Sequence, residues 1–257
     1  MLRLLLWSLA GLFSVLLTAL AFLPATWMAS VVETQSSGRF TLGDAQGTLW
    51  SGSAFIGGAS GSGDPVTPLL PGRFSWHLSP LVLLGGVDLE LANPEAMEQP
   101  VRITGSWNRW HVSPTVISLP AERLAALGAP LNTVQPSGRM QLSWAPLQLG
   151  LHEGAIEISG TMNLKLIEIS SRMSPVKPLG DYNLTLDWQG QNATALLNTN
   201  RGPMLLNGSG RLSNGHLQFS GTAQAEAGQE ERLENFLNLL GQRRRENDRD
   251  VIALEFK

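Results

Sequence analysis

His77, His111, His152 and His216 are the side chains best suited to proton transfer or metal binding in this chain, and their spacing serves neither. They fall in different strands or turns, with no H-E-x-x-H and no pair at metal-ligand spacing. Serines are plentiful, but none occupies a G-x-S-x-G elbow. The chain has no cysteine, which removes thiolate nucleophiles, thiolate zinc sites and disulfides together. Gly57, Gly58, Gly61 and Gly63 precede no strand-to-helix junction, so they form neither a phosphate loop nor a dinucleotide fingerprint and suit a hairpin end. The acidic pair Glu230-Glu231 opens a solvated helix, and the run "RRRENDRD" answers its own charge and is expected as a solvated loop. No catalytic, cofactor-binding or metal-ligating residue emerges, and the chain is not expected to be an enzyme. A net charge of -3 gives no electrostatic ground for nucleic acid binding.

What the chain does specify is a frame of alternating strands. "RFSWHLS" sets Phe74, Trp76 and Leu78 against Arg73, Ser75, His77 and Ser79. "VDLEL", "RMQLSW", "DYNLTLDW", "HLQFSGTAQAE" and "VIALEFK" repeat the pattern. A strict period of two with one dry and one wet face is the mark of antiparallel sheet. In "VRITGSWNRWHVS" the phase slips at Asn108-Arg109, so Trp107 and Trp110 are both expected to face inward across a tight turn. The 27 glycines and 15 prolines fall between these runs and read as turns.

Two segments of the body suit helices. "LPAERLAALG" has Pro120 near its start and Gly128 at its end. "QEERLENFLNLLG" spaces Leu233, Phe236, Leu237 and Leu240 along one face and stops at Gly241. Each follows a strand pair containing Gly-Ser, which suggests two pseudo-repeats, about 39–130 and 131–257, joined near "GAPLNTVQPSG".

The N-terminus is a different material. Residues 4–23, "LLLWSLAGLFSVLLTALAFL", carry no charge, and twenty helical residues span roughly 30 Å, the thickness of a bilayer core. Arg3 before this run favours a cytoplasmic N-terminus and an exported body. Residues 1–28 are thus expected as a cytoplasmic tip and transmembrane anchor, and 29–257 as a periplasmic β-rich domain. A signal peptide cleaved after Ala19-Leu-Ala21 is the competing reading; the length of the apolar run and its continuation in "FLPATWM" favour retention. Of the eight tryptophans, Trp7 lies in the span and Trp27 at interface depth, and the other six lie in strand-like segments as core. Trp50, among small neighbours in "GDAQGTLWSGSAFIGG", is expected to be an architectural knob.

Several segments taken in order resemble the type II secretion system protein N family: "LPATW" (Leu23 to Trp27), "GTLWSG" (Gly47 to Gly52), "SWHLSP" (Ser75 to Pro80), "LP" (Leu119, Pro120), "PLGDY" (Pro178 to Tyr182) and "LLG" (Leu239 to Gly241). The resemblance implies an accessory inner-membrane component of the bacterial machine that exports folded proteins from the periplasm. It implies no catalytic residue and no cofactor, and its partners would be other subunits of the inner-membrane platform. Two functions follow as expectations. In one, the β-body is a scaffold that engages those subunits by strand edges or loops. In the other, its dry face is an open groove for a lipid or apolar ligand. The helix at "QEERLENFLNLLG" decides between them, and it is expected to lie on the sheet of its own chain as a lid.

Overall fold

A computed structural model describes residues 2–36, 38, 40–58, 67–127, 131–152, 154–213, 216–246 and 249–256. The alternating stretches assemble into one antiparallel sheet. β1 (Phe40–Gly47) pairs with β2 (Ser51–Gly58), which also pairs with the two-residue β3 (Thr67–Pro68) and with β4 (Phe74–Leu78). The ladder runs on through β5 (Gly86–Ala92), β6 (Val101–Ser106) and β7 (Arg109–Val112). β8 (Thr115–Pro120) pairs with β9 (Pro136–Trp144), while β10 (Leu147–His152) returns to β7. The long β11 (Ala155–Ser171) joins the two parts: one edge takes β10 and then β9, and the other takes β12 (Gly180–Gly190). β13 (Asn192–Arg201), β14 (Met204–Ser213) and β15 (His216–Ala225) follow as a meander. β17 (Arg249–Phe256) adds to β15, and β16 (Gln242–Glu246) pairs with β17.

Register keeps the apolar residues on one face across the sheet. Trp76 stands opposite Gly52 and Leu91, Ile103 opposite Leu89 and Val112, and Leu186 opposite Met162 and Ala195. A slip of one residue anywhere would turn the rest of that strand to the wrong face. Three clusters fill this face. The first holds Ala54, Phe74 and Trp76; the second, Val101, Val112 and Leu147; the third and largest, Met140, Ile169, Leu179, Tyr182, Met204 and Ile252.

Helices cover the two flanks. α1 (Leu2–Ala21) leads into α2 (Thr26–Gln35), which no periodicity announced and which packs Met28 on the first cluster. α3 (Leu131–Val134) is a single turn. α4 (Glu230–Leu240) is the helix expected at "QEERLENFLNLLG", and it buries Leu233, Phe236 and Leu237 on the third cluster. The chain exposes 15991 Å², against about 11,000 Å² for a compact monomer of this size. An open sheet and a helix whose large apolar side chains are exposed account for the sign of that difference.

Several expectations need correction. Among the described residues no helix is long and apolar enough to cross a membrane. α1 stops before Leu23 because Pro24 disfavours helical geometry in the residue before it. "AERLAAL" forms a 3-10 helix, Ala121–Leu127, in which Ala121 and Leu124 meet the third cluster at the three-residue spacing of that helix. Gly128 lies outside the described residues, as do Gly61 and Gly63. The basic run is no loop: Arg243 and Arg244 belong to β16, and only residues 247–248 of its turn are outside the described chain. Trp110 is half-buried, but Trp107 is 57% exposed. It sits in the turn beyond the last ladder pair, Ser106 with Arg109, where strand alternation no longer governs.

Candidate functional site

The pairings place many turns at one end of the sheet. The β1–β2 turn (48–50), the 3-10 turn Pro80–Leu84, the β6–β7 turn (107–108), Gly154 ahead of β11 and the β12–β13 turn at 191 all lie there. α1 arrives at the same end. Trp50 Nε1–H donates to the Leu20 carbonyl at 2.8 Å, closing the end of α1 onto the sheet. Alongside it, Leu49 N–H donates to Leu23 O at 2.8 Å and Ala25 N–H to Gly47 O at 3.1 Å, with Pro24 bridged to Thr48. The linker between α1 and α2 is therefore a short strand added to the turn.

Trp76 completes this joint from inside. It is 3% exposed and donates from Nε1 to Leu49 O at 3.0 Å. Its ring lies on Gly52, where a Cβ would come within 2.4 Å of it. Glycine there is a matter of space and not of turn geometry. The three segments Leu23 to Trp27, Gly47 to Gly52 and Ser75 to Pro80 thus meet at one place. Trp50, expected as a packing knob within a strand, lies instead in the β1–β2 turn and acts through its indole N–H on a carbonyl thirty residues away.

The opposite end is closed differently. Leu179 and Tyr182 are buried with Leu233 and Phe236 of α4, and Leu119 packs beside them. Tyr182 donates its hydroxyl to Met204 O at 3.0 Å, and burial raises its pKa well above the ordinary phenol value. Nearby, β11 bulges between Leu166 and Ile169, with Glu168 at φ 53. Asp181 accepts the Glu168 N–H at 2.6 Å and an Arg201 Nε–H at 2.5 Å. Burial pushes the Asp181 pKa up, but these two bonds together with the charges of Arg201 and Arg139 outweigh it and hold the carboxyl below its ordinary value.

Among the described residues no chemistry-bearing constellation forms at either end. His77, His111, His152 and His216 are exposed on separate strands. Among the described residues no three His, Cys, Asp or Glu gather where they could hold a metal. Two clefts among the described residues lie on the wet face. One of about 590 Å³ is lined by Asp187, Gln189, Thr194, Arg211, His216 and Gln218. Another, of about 830 Å³, has Thr194, Leu196, Ser209, Arg211 and Glu255 in its walls. These are grooves between polar ladders with no convergent acid–base pair. The arrangement offers surfaces: the α1 end, the wet ladders, and the strand edge of β16, which among the described residues pairs only with β17.

Sequence reasoning missed the joint, because nothing in "LPATW" or "GTLWSG" names its partner. Comparison with known proteins shows a likeness over a range that includes "GTLWSG" (Gly47 to Gly52) and leaves "LPATW" outside it. The protein-family model described as type II secretion system, protein N, matches residues 38–251, most of the chain. No curated protein and no solved structure matches.

Proposed function

The chain belongs to the type II secretion system protein N family, and on that premise we propose that it is an accessory, non-enzymatic scaffold at the bacterial inner membrane. α1 anchors it, its N-terminus is cytoplasmic behind Arg3, and the β-body works in the periplasm, where it engages other subunits of the secretion platform. The two pseudo-repeats, 39–130 and 131–257, each supply strands and a covering helix to that body.

The observation that carries this reading is the joint at Trp50. An apolar helix with exposed Leu6, Trp7, Leu9, Leu12 and Phe13 is fastened to a polar-faced sheet by backbone pairing and an indole hydrogen bond. Such a connection holds the body at a fixed place against whatever receives the helix. The edge of β16 that pairs with no other strand among the described residues supports docking by strand addition, a mode in which main-chain bonds give affinity and side chains give selectivity. Photocrosslinking from position 244 in cells, followed by purification of the full chain, tests it. Adducts with other secretion subunits are expected. Purification with stoichiometric lipid and no such subunit would overturn the scaffold.

One observation favours a second reading. α4 covers the dry face only toward the end holding Tyr182; toward the α1 end Leu184, Leu186, Trp188 and Leu212 are half-buried, and Leu151 and Ile156 are exposed. Trp188 Nε1 is buried there without a hydrogen-bond partner among the described residues. An apolar ligand would fit a strip of this kind, and the lipid content of the purified chain is its test.

A further inference from the structure

The 3-10 turn Pro80–Leu84 has no packing duty that explains its composition. Residues 79–86, "SPLVLLGG", contain no charge, and Leu81, Leu83 and Leu84 are exposed, Leu84 to 85%. This exposure is built in. Ser79 caps the turn by accepting the Leu81 N–H, Pro80 sets its first residue, and Gly85 at φ 92 closes it with N–H bonds to Leu81 and Val82 carbonyls. Trp107 leans on it from the β6–β7 turn, donating Nε1–H to Val82 O at 2.7 Å while its ring stays exposed. Three leucines and an indole thus form one apolar knob, held in place by hydrogen bonds from two turns.

Its position names the occupant. Trp50 donates to Leu20 at the end of α1, and Leu78 N–H donates to Trp50 O at 2.7 Å. The 3-10 turn begins two residues later. A continuous hydrogen-bonded path therefore links the end of the apolar helix to the knob, and both lie at the same end of the sheet. We propose that the knob of Leu81, Leu83, Leu84 and Trp107 is a second contact with the bilayer, inserting at headgroup depth beside α1. Leucines suit the acyl boundary and an indole with a satisfied N–H suits the interface, as in interfacial helices that lie on a membrane. Such a contact is weak alone; α1 makes it effective by keeping it at the surface. With it, the sheet stands on the membrane at two points and cannot swing freely about its linker.

The proposal rests on anchoring by α1, and its test separates the two. The chain lacks cysteine, so a single introduced cysteine labels uniquely. Full-length Leu84→Cys, Leu12→Cys and Lys177→Cys variants, each carrying an environment-sensitive fluorophore, would be reconstituted in vesicles of phosphatidylethanolamine and phosphatidylglycerol. Lipids bearing a nitroxide near the headgroup or deep in the acyl chain serve as quenchers. The label at 84 should shift to the blue and lose most of its emission to the shallow nitroxide, the label at 12 to the deep one, and the label at 177 to neither. Leu81→Cys should repeat the result at 84, and since all labelled positions are exposed the fold should survive. Quenching at 12 without quenching at 84 overturns the second contact and leaves the anchor. Quenching at neither overturns both. A blue shift at 84 without nitroxide quenching means a protein covers the knob, and the bilayer contact is then wrong.

Discussion

The two ends of the sheet are made from the same kind of hairpin and finished in different ways. At the end holding Tyr182, α4 and the 3-10 helix Ala121–Leu127 fold back over the dry face, and the largest cluster forms beneath them. At the α1 end the turns stay bare, the cover is a single tryptophan joint, and large apolar residues such as Leu84 and Trp107 face outward. One end is a finished core. The other leaves a surface that the described residues of the chain do not cover. The segments quoted for the family sort the same way: "LPATW", "GTLWSG" and "SWHLSP" build the joint, while "LP", "PLGDY" and "LLG" frame the closed core.

Substitutions should therefore act on different properties at the two ends. The largest effect is expected from Leu237→Asp, which puts an unpaired carboxylate into the contact between α4 and the sheet. It should cost about 4 kcal/mol or more and loosen the closed end, read as loss of a cooperative thermal transition. A variant that melts like the parent would mean that α4 is not integral to that core.

Trp76→Ala comes next. Removing this buried ring beside Gly52 should destabilise the body by about 3–5 kcal/mol in denaturant titration. His77→Ala, on the wet face one residue away, should cost less than about 0.5 kcal/mol. Equal losses would mean the faces are misassigned.

Trp50→Phe should have a smaller effect and a different readout. It keeps a ring but removes the N–H donated to Leu20, so the loss is about 1 kcal/mol. The amides of residues 20–25 should exchange faster while those around Tyr182 do not change. Uniform acceleration across both ends would deny that the joint is local.

The smallest effect concerns acid. The Asp181 carboxyl is held below its ordinary value in the folded chain, so its contribution is complete above the unfolded pKa and is lost as pH falls through the lower, folded one. Asp181→Asn should thus flatten the acid side of the stability profile while leaving the neutral side parallel to the parent. A steeper acid limb in the variant would reverse the sign and refute the role of the Glu168 and Arg201 bonds.

How far the sequence could be read follows from the range of each interaction. Alternation is local, so "RFSWHLS" and "DYNLTLDW" declared their dry faces directly, and the stripe of α4 declared its helix. α2 was hidden because "TWMASVVETQ" mixes β-branched residues with polar ones and shows little one-sidedness. Trp107 was misplaced because a turn residue escapes the period of its strands. The joint itself was illegible. Trp50 asked for a partner, but only the pairing of the 23–25 linker with the 47–49 turn brings Leu20 within reach. The convergence of the turns likewise depends on ladder registers, which no single segment contains.

The anchor, the docking role and the second bilayer contact all depend on which side of the membrane the body occupies. A reporter fused after Lys257 of the full chain measures this most directly, in one version that works only in the periplasm and one that works only in the cytoplasm. With α1 as anchor and the N-terminus inside, the periplasmic reporter should be active and the cytoplasmic one silent. Activity of the cytoplasmic reporter alone would contradict the anchor, the placement of the sheet and the second bilayer contact together.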